Sequence, residues 1–191
     1  MEDPWVIAEQ LFSPCFITGL TAAQYWDFTE QIVEVVTVFT EIPIRHRKQE
    51  IGKVRFVFKQ TSQEKRFGLK KIWRDNIPVY FADPSRTLVD LLADPALGGG
   101  IVSVEEILLE YWRSDHLNRD LLLNYVKKYN NKTIFKRLGF LLEKNQFEEE
   151  NFLKTCRENI SKGYSQLDPS IKGSRLSKRW GLWYPEKYNI K

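Results

Sequence analysis

Basic side chains that could contact phosphates are concentrated in one stretch of the chain. Eleven lie between Arg45 and Arg74, opposed only by Glu50 and Glu64, so this segment carries +9 and the rest carries −5 of the net charge of +4. The basic residues are Arg45, Arg47, Lys48, Lys53, Arg55, Lys59, Lys65, Arg66, Lys70, Lys71 and Arg74. Such a row suits nucleic-acid phosphates or an acidic protein surface. The alternative is a solvated sheet edge, where lysines prevent pairing with another strand.

The alternation of apolar and basic residues predicts how these charges are displayed. From Ile51 to Lys59 it is typical of a half-buried strand with a basic outer face, shared by Lys53, Arg55 and Lys59. We therefore expect one continuous positive surface over residues 45–74. The full set of predicted nucleic-acid or partner-binding residues is Arg45, Arg47, Lys48, Lys53, Arg55, Lys59, Lys70, Lys71, Lys136 and Arg137.

The last two of these residues form a separate basic pair. Lys136 and Arg137 stand early in a helix predicted over residues 132–144, where the helix dipole disfavours positive charge. Two interpretations remain open. The pair contacts a partner, or it forms an ion pair within the fold with a carboxylate such as Glu143.

Residues typical of catalysis or metal binding are scarce. His46 and His116 are the only histidines, and neither has a second histidine or a cysteine nearby to complete a metal site. The sequence has no phosphate-binding loop, serine-hydrolase motif or dinucleotide motif. Asp83 is interpreted as a helix N-cap, and Arg86 with Asp90 as an ion pair at i, i+4 spacing. We therefore expect no enzymatic activity, no metal and no cofactor.

Cysteine usage and hydropathy predict the compartment. Cys15 and Cys156 are expected to be free, buried thiols, which fits a reducing cytoplasm. No apolar run approaches the roughly 18 residues of a membrane span. Residues 1–5 lack the charged start and the long apolar stretch of a signal peptide. The chain is therefore predicted to be cytoplasmic, with no membrane partner.

The order of the predicted elements favours an α+β fold, with a small mixed or antiparallel sheet in the first half packed against a helical second half. A capping box at Ser103 and Glu106 predicts the start of one of the later helices. We assign residues 1–159 to an α+β domain and residues 160–191 to an aromatic-rich tail that packs on it. Strands are expected at 15–18, 33–40, 51–59, 68–73 and 79–82, and helices at 3–12, 21–28, 84–93, 103–113, 118–129, 132–144 and 147–159.

Two segments also carry a resemblance to a known family. They are residues 81–92 (FADPSRTLVDLL) and residues 134–143 (IFKRLGFLLE). Two further segments that share the resemblance precede them, at residues 13–26 and 32–40. In this order and spacing they resemble the antitoxin domain of the AbiEi family, from type IV toxin–antitoxin (abortive infection) systems. The similarity covers roughly residues 13–143, with a weaker match at Trp180.

The resemblance implies a protein that counters a cognate nucleotidyltransferase-like toxin, in a system where the two proteins need not form a stable complex. Family members usually carry a winged helix-turn-helix that binds operator DNA ahead of this domain, whereas here only residues 1–12 precede the match. The alternative function is a nucleic-acid-binding transcriptional regulator that contacts DNA or RNA through the basic β face. A neighbouring toxin gene would favour the antitoxin, and operator binding without rescue from a toxin would favour the regulator.

Overall fold

A six-stranded mixed sheet forms the first half of the chain and a group of helices forms most of the second, in the computed structural model, which describes residues 3–188. The predicted α+β fold is therefore confirmed. The strands are β1 Cys15–Ile17, β2 Val35–Thr40, β3 Lys48–Ile51, β4 Val54–Gln60, β5 Leu69–Arg74 and β6 Ile77–Ala82. Their order across the sheet is β3-β4-β2-β1-β6-β5. β2 pairs with β4 and β1 with β6 in parallel, and the other pairs are antiparallel.

Helices surround this sheet, and a second, smaller sheet follows them. The α-helices are α1 Pro4–Phe12, α2 Gly19–Tyr25, α3 Pro84–Ala93, α4 Ile101–Arg113, α5 Arg119–Tyr129, α6 Lys132–Lys144 and α7 Glu150–Glu158. Short 3₁₀ helices occupy Gln63–Lys65, Pro95–Gly98 and Glu186–Tyr188. The second sheet consists of β7 Ser165–Gln166, β8 Arg175–Ser177 and β9 Leu182–Tyr184, in the order β7-β9-β8. Within residues 3–188, no helix is both long and apolar enough to cross a membrane.

The six-stranded sheet is covered on both faces. The strand register places Phe58 of β4 and Phe81 of β6 on the same face. Helix α1 covers this face, since the Trp5 ring lies 4.8 Å from that of Phe81 and the Phe12 ring lies 4.2 Å from that of Phe58. Phe16 of β1 points to the opposite face, towards the helical half of the chain. The sheet is thus a middle layer, and its outer strands are the places where charged side chains reach solvent.

Helices α3 and α6 form the centre of the helical half. Their sequences place apolar residues on one face of each helix, and every leucine on those faces is fully buried. These residues are Leu88, Leu91, Leu92, Leu138, Leu141 and Leu142. The apolar faces of the segments at 81–92 and 134–143 predict that these leucines are buried together, and their burial confirms this.

Helix α4 begins earlier than its sequence predicts. It starts at Ile101, so Ser103 lies inside the helix and the predicted capping box is wrong. The reason is a cap from a distant part of the chain, because the Ile101 amide donates to Asp168 Oδ2 at 2.9 Å. Burial alone would raise the pKa of Asp168, but hydrogen bonds from Ser170 and Ile101 hold it below its usual value.

The β5–β6 hairpin also differs from the prediction, because Pro78 lies inside β6 instead of preceding it. Asp75 and Asn76 form a two-residue turn in which both residues have positive φ. Arg74 and Ile77 flank that turn as a hydrogen-bonded pair, so the next pair, Trp73 with Pro78, requires no amide hydrogen from the proline. β6 therefore begins two residues before Val79.

Candidate nucleic-acid interface

The first group of predicted cations lies on the β3–β4 hairpin at one edge of the six-stranded sheet. β4 alternates as expected, with Phe56 and Phe58 buried while Arg55 is exposed and Lys59 is half-buried. Lys53 differs from the prediction, since it stands in the turn between the strands, next to Gly52, which has a φ of +62°. Lys53 therefore extends from the end of the hairpin and does not share the Arg55 face.

Three of the basic residues at this edge are already paired with carboxylates of this chain. Lys59 Nζ lies 3.0 Å from Asp94 Oδ2, and Arg47 contacts the same oxygen at 3.4 Å. Arg55 pairs with Glu34. Each of these pairs reduces the charge that remains for an external anion. Because the pairs are partly exposed, they contribute little to stability.

The remaining cations of this edge are free to meet a ligand. Arg45, Lys48 and Lys53 are exposed, and none of them forms a salt bridge with any residue between 3 and 188. We call these three residues the hairpin cations. They are the part of the predicted basic face that forms no salt bridge within residues 3–188.

The other predicted cations lie at the opposite edge of the sheet. Lys70 and Lys71 belong to β5, and β2, β1 and β6 separate this strand from β4. At about 4.8 Å per strand, β4 and β5 are about 19 Å apart, and the edge strands β3 and β5 are about 24 Å apart. Lys70 and Lys71 also point to opposite faces, because they are neighbours on one strand. The structure thus divides the expected single surface over residues 45–74 into two separate groups.

Lys136 and Arg137 do not reach the surface, so the expectation of a partner contact at this pair requires correction. Their relative exposures are 1% and 4%. Lys136 Nζ donates to the Gly163 carbonyl at 2.8 Å, and burial lowers the pKa of this lysine. Glu143 is not their partner either, since it accepts from Trp180 Nε1 at 2.6 Å and pairs with Arg179.

Arg137 instead satisfies backbone carbonyls from two other elements. Its guanidinium donates to Leu92 and Ala93 at the end of α3, at 2.7 and 3.2 Å, and to Gln166 and Leu167 near β7, at 3.1 and 2.9 Å. Burial lowers its pKa to about 10, an effect opposed by Asp168 and Asp94. Because terminal helix carbonyls have no partner within their own helix, this arginine acts as a C-terminal cap for α3.

The predicted N-cap and ion pair at the start of α3 are confirmed, but they lie deeper than expected. Asp83 Oδ1 accepts from the Arg86 amide at 2.8 Å, and Arg86 Nε lies 3.0 Å from Asp90 Oδ1. Arg86 and Asp90 are fully buried, and Thr18 also donates to Asp90. Burial raises the pKa of Asp90, with Arg86 opposing the shift. These residues connect α3 to β1 and to the Lys65–Phe67 segment, whose carbonyls Arg86 contacts.

Within the described part of the chain, the other titratable residues do not gather into a metal site. No group of three or more histidine, cysteine or acidic residues that could hold a metal occurs between residues 3 and 188. The His116 ring lies against Trp26 and Phe28, at 5.7 and 5.9 Å between centroids. Cys15 and Cys156 are free and buried, and burial raises the pKa of both thiols. Protonated, enclosed thiols of this kind are poor nucleophiles.

A groove that the sequence did not predict lies beside the β3–β4 hairpin. Its volume is about 610 Å³, and it separates the sheet from the Pro95–Gly98 turn. Val35, Val57 and Leu97 line its apolar part, while Lys48 and Arg55 lie on its rim. Glu34 and Glu50 line it too, so its charge is balanced. No local pattern would have revealed this groove, because its walls come from parts of the chain that lie far apart in sequence.

Comparison with known proteins indicates only the fold. No family model matches the chain, and no curated protein matches it. Among solved structures, the chain is similar to the crystal structure of the RV2827C protein from Mycobacterium tuberculosis, with a TM-score of 0.60 and 13% sequence identity. The similarity covers 95% of this chain and 68% of that one. At this identity the two proteins share an architecture, and nothing follows about activity.

Proposed function

We propose that this protein is an antitoxin that counters a cognate nucleotidyltransferase-like toxin in a type IV, AbiEi-like system. The observation that carries the proposal is the ordered pair of segments at 81–92 and 134–143. These segments largely coincide with α3 and α6, whose leucines are fully buried. The resemblance therefore falls on the central packing of the domain rather than on its surface.

In this proposal the hairpin cations make the functional contact. Lys136 and Arg137 cannot make it, since both are buried and bonded to carbonyls. Arg45, Lys48 and Lys53 remain exposed and unpaired among the described residues, and they suit the phosphates of the nucleic acid on which the toxin acts. An antitoxin that binds this nucleic acid opposes the toxin without forming a stable complex with the toxin.

Growth rescue tests the proposal directly. The toxin, encoded by the neighbouring gene, is expressed from an unrelated promoter, and residues 1–191 are supplied in trans. We expect rescue by the natural chain and weaker rescue by the Lys48→Glu/Lys53→Glu variant. Lys154→Glu/Lys162→Glu is the matched control, because these lysines are exposed and belong to other elements. Failure of the natural chain to rescue, with the protein folded and present, would refute the antitoxin function.

A second candidate is a transcriptional regulator that binds nucleic acid through the same hairpin. The unpaired state of Arg45, Lys48 and Lys53 within the described part of the chain favours it. Its test is the affinity of the protein for the promoter of its own gene, measured over a series of salt concentrations and compared with that for DNA of unrelated sequence. Tight, sequence-specific binding without rescue from the toxin would favour this candidate. Either function would be carried out in the cytoplasm, a reducing compartment that suits the two free thiols.

A further inference from the structure

The edge of the sheet opposite the hairpin cations carries a row in which rings and cations alternate. Trp73 of β5 and Tyr80 of β6 point to the same face, and Lys71 lies between them. Lys71 Nζ is 5.7 Å from the centre of the Trp73 ring and 5.9 Å from that of Tyr80. Arg66 continues the row, with its Cζ 5.1 Å from the Tyr80 ring. We call these four residues the β5 row.

The exposure of Trp73 is the unusual feature of the β5 row. A tryptophan is ordinarily among the more buried residues of a domain, yet 63% of Trp73 is exposed. It stands on a terminal strand of the sheet, where a large apolar ring would be a liability without a use. Lys71, beside it, forms no salt bridge with any residue between 3 and 188. This end of the row therefore offers an open ring and an unpaired cation.

Charge favours an anionic occupant. On β5, its turn and β6 the charged residues are Lys70, Lys71, Arg74 and Asp75. Lys70 points to the other face and Arg74 pairs with Asp3 at 3.6 Å, so Lys71 is the unpaired cation beside Trp73. Arg66 is partly balanced by Glu41, at 3.7 Å. A protein partner that filled an apolar patch would gain little from the cations between the rings. A polyanion that also carries planar rings satisfies both parts of the row.

We propose that the β5 row binds single-stranded nucleic acid, with bases stacked on Trp73 and Tyr80 and phosphates contacted by Lys71 and Arg66. Base stacking on exposed aromatic rings beside basic residues is a common basis for recognition of single strands. A duplex keeps its bases stacked on each other, so their faces are closed to Trp73. The proposal assigns a nucleic-acid site separate from the hairpin cations, and it rests on neither function proposed above.

Fluorescence anisotropy with labelled oligonucleotides of about twelve nucleotides, a length within the site sizes of single-strand binders, tests the proposal. The probes are oligo(dT), oligo(U) and a DNA duplex of the same length, at about 50 mM salt. We expect both single strands to bind more tightly than the duplex. Trp73→Leu should weaken single-strand binding roughly 5- to 150-fold, while Trp73→Phe, which keeps a ring, should retain most of it. Lys71→Gln should reduce the salt slope by about 0.7, the value for one phosphate of a single strand.

Exposed lysines outside the six-stranded sheet provide the internal control. Lys154→Gln/Lys162→Gln should leave single-strand affinity nearly unchanged. If Lys48→Gln/Lys53→Gln abolishes binding while Trp73→Leu does not, nucleic acid binds at the hairpin cations and the β5 row has another role. Tighter binding of the duplex would also overturn the proposal. So would a dimer that dissociates on Trp73→Leu and binds no oligonucleotide, since Trp73 would then serve self-association.

Discussion

The indole ring of Trp180 occupies the space that a side chain on Gly139 would need. A Cβ added to Gly139 would lie 2.1 Å from Cζ3 and 2.2 Å from Cη2 of that ring. Gly139 lies in the middle of α6, and Trp180 comes from the segment between β8 and β9. A glycine in a helix interior costs about 1 kcal/mol relative to alanine, so this close contact is the physical reason for its presence.

Gly139→Ala should therefore destabilise the protein, despite the better helix propensity of alanine. We expect a loss of roughly 1–3 kcal/mol in the free energy of unfolding, the range for overpacked cores. Urea denaturation of Gly139→Ala, Trp180→Leu and the double variant measures the coupling between the two positions. If the two effects add without coupling, the ring does not limit the size of residue 139.

Truncation of the leucines between α3 and α6 tests the core. Leu91→Ala and Leu141→Ala should each cost on the order of 2–5 kcal/mol, because both residues are fully buried. Leu11→Ala is the matched control, since Leu11 is 55% exposed. That variant should change the free energy of unfolding by about 0.5 kcal/mol or less. Equal effects at Leu11 and Leu91 would contradict the assignment of the core.

Arg137 should matter for stability rather than for an interface. Arg137→Ala removes donors from four buried or half-buried carbonyls, and we expect a loss of about 3–5 kcal/mol. Arg113→Ala is the control, because its pair with Glu110 is exposed and contributes roughly 0–1 kcal/mol. Thermal and urea unfolding of both variants give the comparison. A fully stable Arg137→Ala would show that water satisfies those carbonyls equally well.

The buried thiol of Cys156 should make stability depend on pH in the alkaline range. Burial raises the pKa of this thiol from 9.0 to about 12 in the folded protein. Between these values the unfolded chain loses the proton while the folded chain retains it, so unfolding becomes more favourable as pH rises. Its share of the stability is complete below pH 9.0 and falls by about 1.4 kcal/mol per pH unit above it.

Comparison with Cys156→Ala isolates this effect from that of other titrating groups. At pH 8 the natural protein should be the more stable of the two, because alanine leaves a small cavity. The difference should shrink, and then reverse, as pH rises from 9 towards 10.5. A difference that stays constant over this range would show that the thiolate is not excluded from the folded interior.

Local signals in the sequence predicted the elements whose start depends on neighbouring residues. Asp83 and Pro84 begin α3 where expected, because an N-cap and a first-turn proline act within one helical turn. The α+β class followed from the change from a period of two to a period near 3.6 along the chain. The burial of the leucines on α3 and α6 followed from the same periodicity.

Features that depend on distant residues were not predictable in this way. A positive charge on Arg137 predicts exposure, and only the folded chain supplies its acceptors, which lie 29 to 45 residues away. The cap on Ile101 likewise comes from Asp168. The division of the basic segment depends on where β5 joins the sheet, which alternation within a strand does not encode.

The contact of Trp180 with Gly139 also bears on how the chain folds during synthesis. Roughly 40 residues separate the two positions, and a ribosome adding 5–20 residues per second needs about 2–8 seconds to translate them. Throughout that interval the Gly139 face of α6 lacks its cover, and the α4 start lacks the Asp168 carboxylate until that residue is made. The core of the domain therefore stays incomplete as long as the nascent chain lacks Asp168 and Trp180. Completion of the fold waits until Trp180 has been translated.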